Sequence, residues 1–129
     1  MFVTRVDTGE DIEVRPPPGT VGFDYQGAFS PDGETVAVAV RTGHMPTNFA
    51  NMESQLAFVD VRSGTTKIID GTALEGAHVF IDWSPSGEAV FMAGGNQFEK
   101  RSVIEYQLGA ESGRQLPVEV GDFYGMAAA

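Results

Sequence analysis

The side chains able to do chemistry are few. His44 and His78 are the only histidines, there is no cysteine, and 18 carboxylates face 8 basic residues. A metal site on either histidine needs a partner ligand at a spacing that brings both donors to one place, and no Asp or Glu stands at such a spacing. Without cysteine, thiol catalysis, disulfides and cysteine-ligated zinc are excluded. Ser30, Ser63, Ser84 and Ser86 lie in turn sequences, and no Gly-x-Ser-x-Gly occurs, so no Ser-His-Asp triad is assembled. Gly94-Gly95 lacks the Lys-Ser/Thr of a phosphate loop and reads as a turn. Asp82, beside Trp83, is the carboxylate nearest a predicted inner strand, and ordering neighbouring backbone is preferred to binding a cation. No catalytic, cofactor-binding or metal residue is assigned, and no cofactor is expected. One group suits a partner instead: His44, Met45, Phe49 and Met52 gather in a long polar loop, where apolar side chains make a candidate contact patch for a protein.

Charge narrows the partners. A net charge of −10 opposes binding to nucleic acid or to anionic lipid, both of which require a dense Lys/Arg surface. No apolar run reaches signal-peptide length or the roughly 18 residues of a spanning helix, so no membrane insertion is expected and the compartment stays open. The 16 glycines and 7 prolines punctuate short runs of Val, Ile, Thr and Phe at period two, which predicts an all-β chain with almost no helix.

These runs recur. AFSPDGETVAVAVR at Ala28 to Arg41 returns as DWSPSGEAVFMAG at Asp82 to Gly94, with 54 positions separating Ser30 from Ser84. LAFVDVRSGTTKII at Leu56 to Ile69 returns as SVIEYQLGAESGRQLPV at Ser102 to Val118. In Ser30-Pro31-Asp32-Gly33 each residue suits a type I turn: Ser accepts locally, Pro pre-sets φ, and Gly closes. Val36, Val38 and Val40 alternate with Ala37 and Ala39, so this strand is apolar on both faces and is expected to be covered on both. The opening hairpin ends at Pro16-Pro17-Pro18, which no sheet can continue. Its turn, Val6-Asp7-Thr8-Gly9, aligns with Val61-Arg62-Ser63-Gly64, 55 positions on, so the chain opens on the second half of a repeat. The predicted organisation is a half-unit and connector over 1–22, units over 23–77 and 78–118, and a tail over 119–129.

A period near 54 residues with four strands, carrying Phe-Ser-Pro-Asp-Gly and then Val-Asp-Val-Arg-Ser-Gly, resembles the TolB-like and WD40-like (PD40) β-propeller repeat. The resemblance spans Phe2 to Val118. Ser86 for the turn Asp, Trp83 for Phe, and Gln107 where Asp60 stands are departures in the second copy. The resemblance implies four-stranded antiparallel blades in a partial propeller and a non-catalytic scaffold for protein or ligand binding. It also implies two alternatives: the propeller part of a serine hydrolase whose catalytic domain lies elsewhere, and a ring of several copies. Two and a half blades are fewer than the roughly 4–8 of a closed propeller, so the remaining blades, a protein partner or further copies of the chain are the expected company. Trp83 and Phe29, at equivalent places, are both expected to pack between blades.

Overall fold

Each inner hairpin begins at a turn written in side-chain hydrogen bonds. At Ser30 the main-chain N–H donates to Thr35 C=O at 2.8 Å and the C=O accepts from Gly33 N–H at 2.9 Å. The Ser30 hydroxyl donates to Asp32 Oδ1 at 2.6 Å and accepts from Thr35 N–H at 3.1 Å, while Glu34 N–H donates to the same Oδ1 at 2.9 Å. Gly33 sits at φ +74, the left-handed position that closes a type I turn into the next strand. The second copy rebuilds the network around Ser84 with Ser86 in place of Asp32, and its local bonds lengthen to 3.2 and 3.3 Å.

The computed structural model describes residues 1–42, 53–75, 78–95 and 102–116. These form eleven strands and no helix: β1 (Phe2–Thr4), β2 (Asp11–Glu13), β3 (Thr20–Phe29), β4 (Thr35–Thr42), β5 (Glu53–Asp60), β6 (Thr66–Ile68), β7 (Leu74–Glu75), β8 (His78–Trp83), β9 (Ala89–Gly95), β10 (Ser102–Gln107) and β11 (Arg114–Gln115). All pairing is antiparallel. β1 and β2 make a hairpin, β3-β4-β5-β6 make one sheet with β7 paired to the far end of β5, and β8-β9-β10-β11 make another.

The sheets share one register beside their turns; farther along, β3 shifts against β4 between Thr20 and Gly22 and between Phe23 and Gly27, where β8 runs straight against β9. Phe29↔Val36, Ala28↔Ala37 and Gly27↔Val38 in the first become Trp83↔Val90, Asp82↔Phe91 and Ile81↔Met92 in the second. Val36↔Val59, Ala37↔Phe58 and Val38↔Ala57 become Val90↔Tyr106, Phe91↔Glu105 and Met92↔Ile104. The opening hairpin repeats the outer half: Phe2↔Glu13, Val3↔Ile12 and Thr4↔Asp11 match Ala57↔Ile68, Phe58↔Lys67 and Val59↔Thr66, each pair 55 positions on.

Strand alternation then makes two cores. Val36, Val38, Val40, Ala57 and Val59 face the hairpin residues Val3 and Val14. Ala37, Ala39 and Leu56, on the other face, pack with Val79, Trp83, Val90, Met92 and Tyr106 of the second sheet. Trp83 joins the sheets most tightly: it stacks on Phe58 at 5.5 Å and its Nε1–H donates to Ala28 C=O at 2.9 Å. The outer rims meet where Gly113 N–H donates to Asp70 C=O at 2.9 Å, beside the fully buried Thr72.

Three expectations change. Gly94 and Gly95 lie in β9, because Ser102 and Val79 pair with Gly94 from both sides and His78 pairs with Gly95, holding both glycines extended. β7 is an unforeseen strand, made by tertiary pairing of two residues. Phe29 does not share the environment of Trp83: it is 59% exposed against 6%.

Gly71 and Gly9 separate packing from backbone strain. Both have φ near +70, but a Cβ at Gly71 would lie 2.9 Å from Gly113 O, whereas one at Gly9 meets nothing within 4 Å. Gly9→Ala is expected to cost about 1–2 kcal/mol, the left-handed penalty alone. Gly71→Ala is expected to cost about 1–3 kcal/mol more, the price of overpacking. Trp83→Ala is expected to cost about 3–5 kcal/mol. Urea unfolding followed by far-UV circular dichroism measures all three.

Candidate groove at the turn end of the first sheet

Turns 5–10, 30–35 and 60–65 lie at one end of the hairpin and first sheet. The first and third are built alike: Arg5 N–H donates to Glu10 C=O at 2.8 Å and Gly9 N–H to Arg5 C=O at 2.7 Å, as Asp60 N–H does to Thr65 C=O at 2.9 Å and Gly64 N–H to Asp60 C=O at 2.8 Å. The second and third are tied together by Val61 N–H donating to Glu34 C=O at 3.1 Å, and by Arg62 reaching Glu34 Oε1 at 2.7 Å.

Between these turns opens a groove of about 600 Å³ with an apolar floor of Val3, Ile12, Phe29 and Val61. Its rim is charged, carrying Arg5, Asp7, Glu10, Asp32, Glu34 and Arg62. Val6, also in the lining, is 99% exposed. Apolar side chains held open between ordered turns suit contact with another polypeptide, the aromatic ring supplying area and the rim supplying orientation.

Three carboxylates at these turns ionise more readily than usual, each through local donors. The Arg5 side chain, which hydrogen-bonds Asp7 and sits 3.2 Å away as a cation, holds its carboxyl below the ordinary 3.8. The Ser30 hydroxyl and then the Glu34 N–H do the same for Asp32. The N–H groups of Ser63 and Arg62 do so for Asp60. These carboxylates are acceptors occupied in holding turns, which gives them structural work.

Of the serines in turns, Ser30 and Ser84 are committed to their turns and Ser63 to Thr65 at 2.8 Å, while the buried Ser54 hydroxyl has no partner among the described residues. No group of three His, Cys, Asp or Glu suited to hold a metal occurs among the described residues. His44, Met45, Phe49 and Met52 lie outside the described residues, and His78 begins β8. The groove is a site that reading the motifs missed. Its signals were an apolar Val6 in a charged turn and the 55-position match, which together place half a unit beside a whole one.

The three carboxylates give a pH dependence of defined sign. A lowered folded pKa contributes stability that is present above the unfolded value near 3.8 and is lost as pH falls through the folded one. Their contribution to stability is therefore expected to be flat from about pH 5 upward and to decline below about pH 4. Asp60→Asn is expected to make the acid limb shallower. Thermal midpoints of the two proteins across pH 2.5–7, about five of them each, provide the check.

No protein-family model matches the chain, and neither a curated protein nor a solved structure matches it.

Proposed function

We propose that the chain is a non-catalytic β-propeller segment that serves as a protein-interaction scaffold. One observation carries the reading. Two antiparallel sheets, each with a run of four consecutively paired strands and the same register beside its turns, stack face to face, and an outer half-sheet of the same register stacks on the first. Successive sheets of one build, each offering an apolar face to the next, are how propeller blades are held. The TolB-like wording of the turns agrees with this, since Ser30, Pro31, Asp32 and Gly33 serve the blade's corner and leave no reactive group over.

Two measurements on the purified chain test the proposal. A fluorophosphonate probe is expected to label no serine; stoichiometric labelling at one serine would overturn the non-catalytic assignment. A photoreactive residue replacing Phe29 is expected to give polypeptide adducts in extract from the source cells, while the same residue replacing Lys67 on the outer strand gives few. Equal adducts at both positions would overturn the choice of surface.

A further inference from the structure

One backbone donor occurs in three copies and is matched in two. Val61 N–H donates to Glu34 C=O at 3.1 Å, and Leu108 N–H donates to Glu88 C=O at 2.9 Å, each tying the outer half of a sheet to the turn of its inner half. Val6 holds the same register position in the opening hairpin, and among the described residues nothing accepts from its N–H. The neighbouring groups follow. Met1 and Arg5 bond across to Val14 and Glu10, so alternation turns the N–H and C=O of Phe2, Thr4 and Val6 to the opposite edge of β1. Their counterparts in β5, Ala57, Val59 and Val61, face β4.

The groove floor repeats this contrast with side chains. Trp83 lies over Phe58 of β5 and bonds Ala28 of β3, so its ring spans the sheet from an outer strand to the innermost one. Alongside lie Ala37 and Ala39 of β4, both 0% exposed. Phe29 stands where Trp83 does, with Val3 in the place of Phe58 and no described strand in the places of β3 and β4. What would cover it is two strands deep and presents small side chains.

We propose that the edge of β1 that no described strand pairs and the Phe29 groove form a docking site for a two-stranded antiparallel β-hairpin contributed by another polypeptide. Its first-contact strand pairs with Phe2, Thr4 and Val6, and its Ala- or Gly-rich face lies on Phe29. Four carboxylates against two guanidiniums on the rim favour a basic turn in the partner. This rests on the reading of the chain as stacked sheets of one repeat.

The probe is a synthetic hairpin copying residues 27–42 of this chain, which occupies the corresponding edge in the first sheet. Hydrogen exchange of the full chain with excess peptide is expected to slow at least tenfold at the amides of Phe2, Thr4 and Val6, with little change at Val3 and Arg5. Thr4→Pro removes an outward N–H on an edge strand and keeps the β1–β2 main-chain bonds, giving up the exposed Thr4 Oγ1–Asp11 Oδ1 bond that Thr4→Val also removes; Thr4→Pro is expected to weaken binding at least tenfold relative to Thr4→Val, with unchanged circular dichroism. Phe29→Lys is expected to do the same. The docking site is refuted if these amides are unaffected by the peptide, or if a single strand copying residues 35–42 protects them equally. It is also refuted if they are protected in the chain alone in proportion to its concentration, which would make a second copy the occupant. The stacked-sheet reading fails separately, if acrylamide quenches Trp83 as it quenches a free indole.

Discussion

The structure depends on one constraint: the β4 strand is apolar on both faces. With Val36, Val38 and Val40 on one side and Ala37 and Ala39 on the other, all at 7% exposure or less, no single-layer arrangement removes this strand from water. Burying each Val yields about 1.5–3 kcal/mol, so leaving the valine face bare would cost about 4.5–9 kcal/mol, comparable with a small domain's whole margin of about 5–15 kcal/mol. Cover is required twice. The hairpin supplies one layer and the second sheet the other. The residue sizes decide the spacing: on the alanine side a large ring, Trp83, fills the space that alanines leave, and Phe58 meets both Trp83 and the edge of Tyr106 at 5.6 Å.

Stacking alone leaves sheets free to slide, and polar contacts fix them. Trp83 Nε1–H on Ala28 C=O sets one sheet against the next at the inner strands. Gly113 N–H on Asp70 C=O sets them at the outer rim, where backbones come so close that a side chain at Gly113 would lie 2.7 Å from Thr72 Cγ2. Thr72 completes the join from inside: its hydroxyl donates to Ile69 C=O at 2.6 Å and accepts from Leu56 N–H at 2.9 Å. The Thr72 hydroxyl, the Leu56 N–H and the Ile69 C=O are thereby paired, which offsets the cost of the close approach.

Much of this was legible because its causes are local. Ser30, Asp32 and Gly33 each have a role inside six residues, so their recurrence at Ser84, Ser86 and Gly87 reports the same turn. The 55-position match of Gly9 to Gly64 holds through every described pair of both hairpins. What was not legible depends on residues far along the chain. Gly94 and Gly95 carry turn propensity, yet Val79, His78 and Ser102 hold them in a strand. Leu74 and Glu75 show no strand pattern and pair only because β5 runs past β6. Phe29 and Trp83 have equivalent places in their strands, so sequence could not separate them; the difference lies in what rests on each.

The two ends of the stack are also chemically unlike. On the face of the second sheet that points away from the first, Asp82 and Glu105 stand where Ala28 and Phe58 stand one sheet earlier. Glu105, 13% exposed in its side chain, is held by Arg114 at 3.0 Å. A ring like Trp83 laid over that position would displace water from a carboxylate–guanidinium pair, where over Phe58 it displaces water from an aromatic surface. Copies joined head to tail through these faces would therefore gain less per contact than the sheets gain within one chain. A heterologous contact of that kind, left apolar, would propagate into filaments. The acidic substitutions weaken growth at one end, while the opposite end keeps its apolar floor and an edge that no described strand pairs. That asymmetry favours a hairpin that fills the groove and ends there over another whole copy.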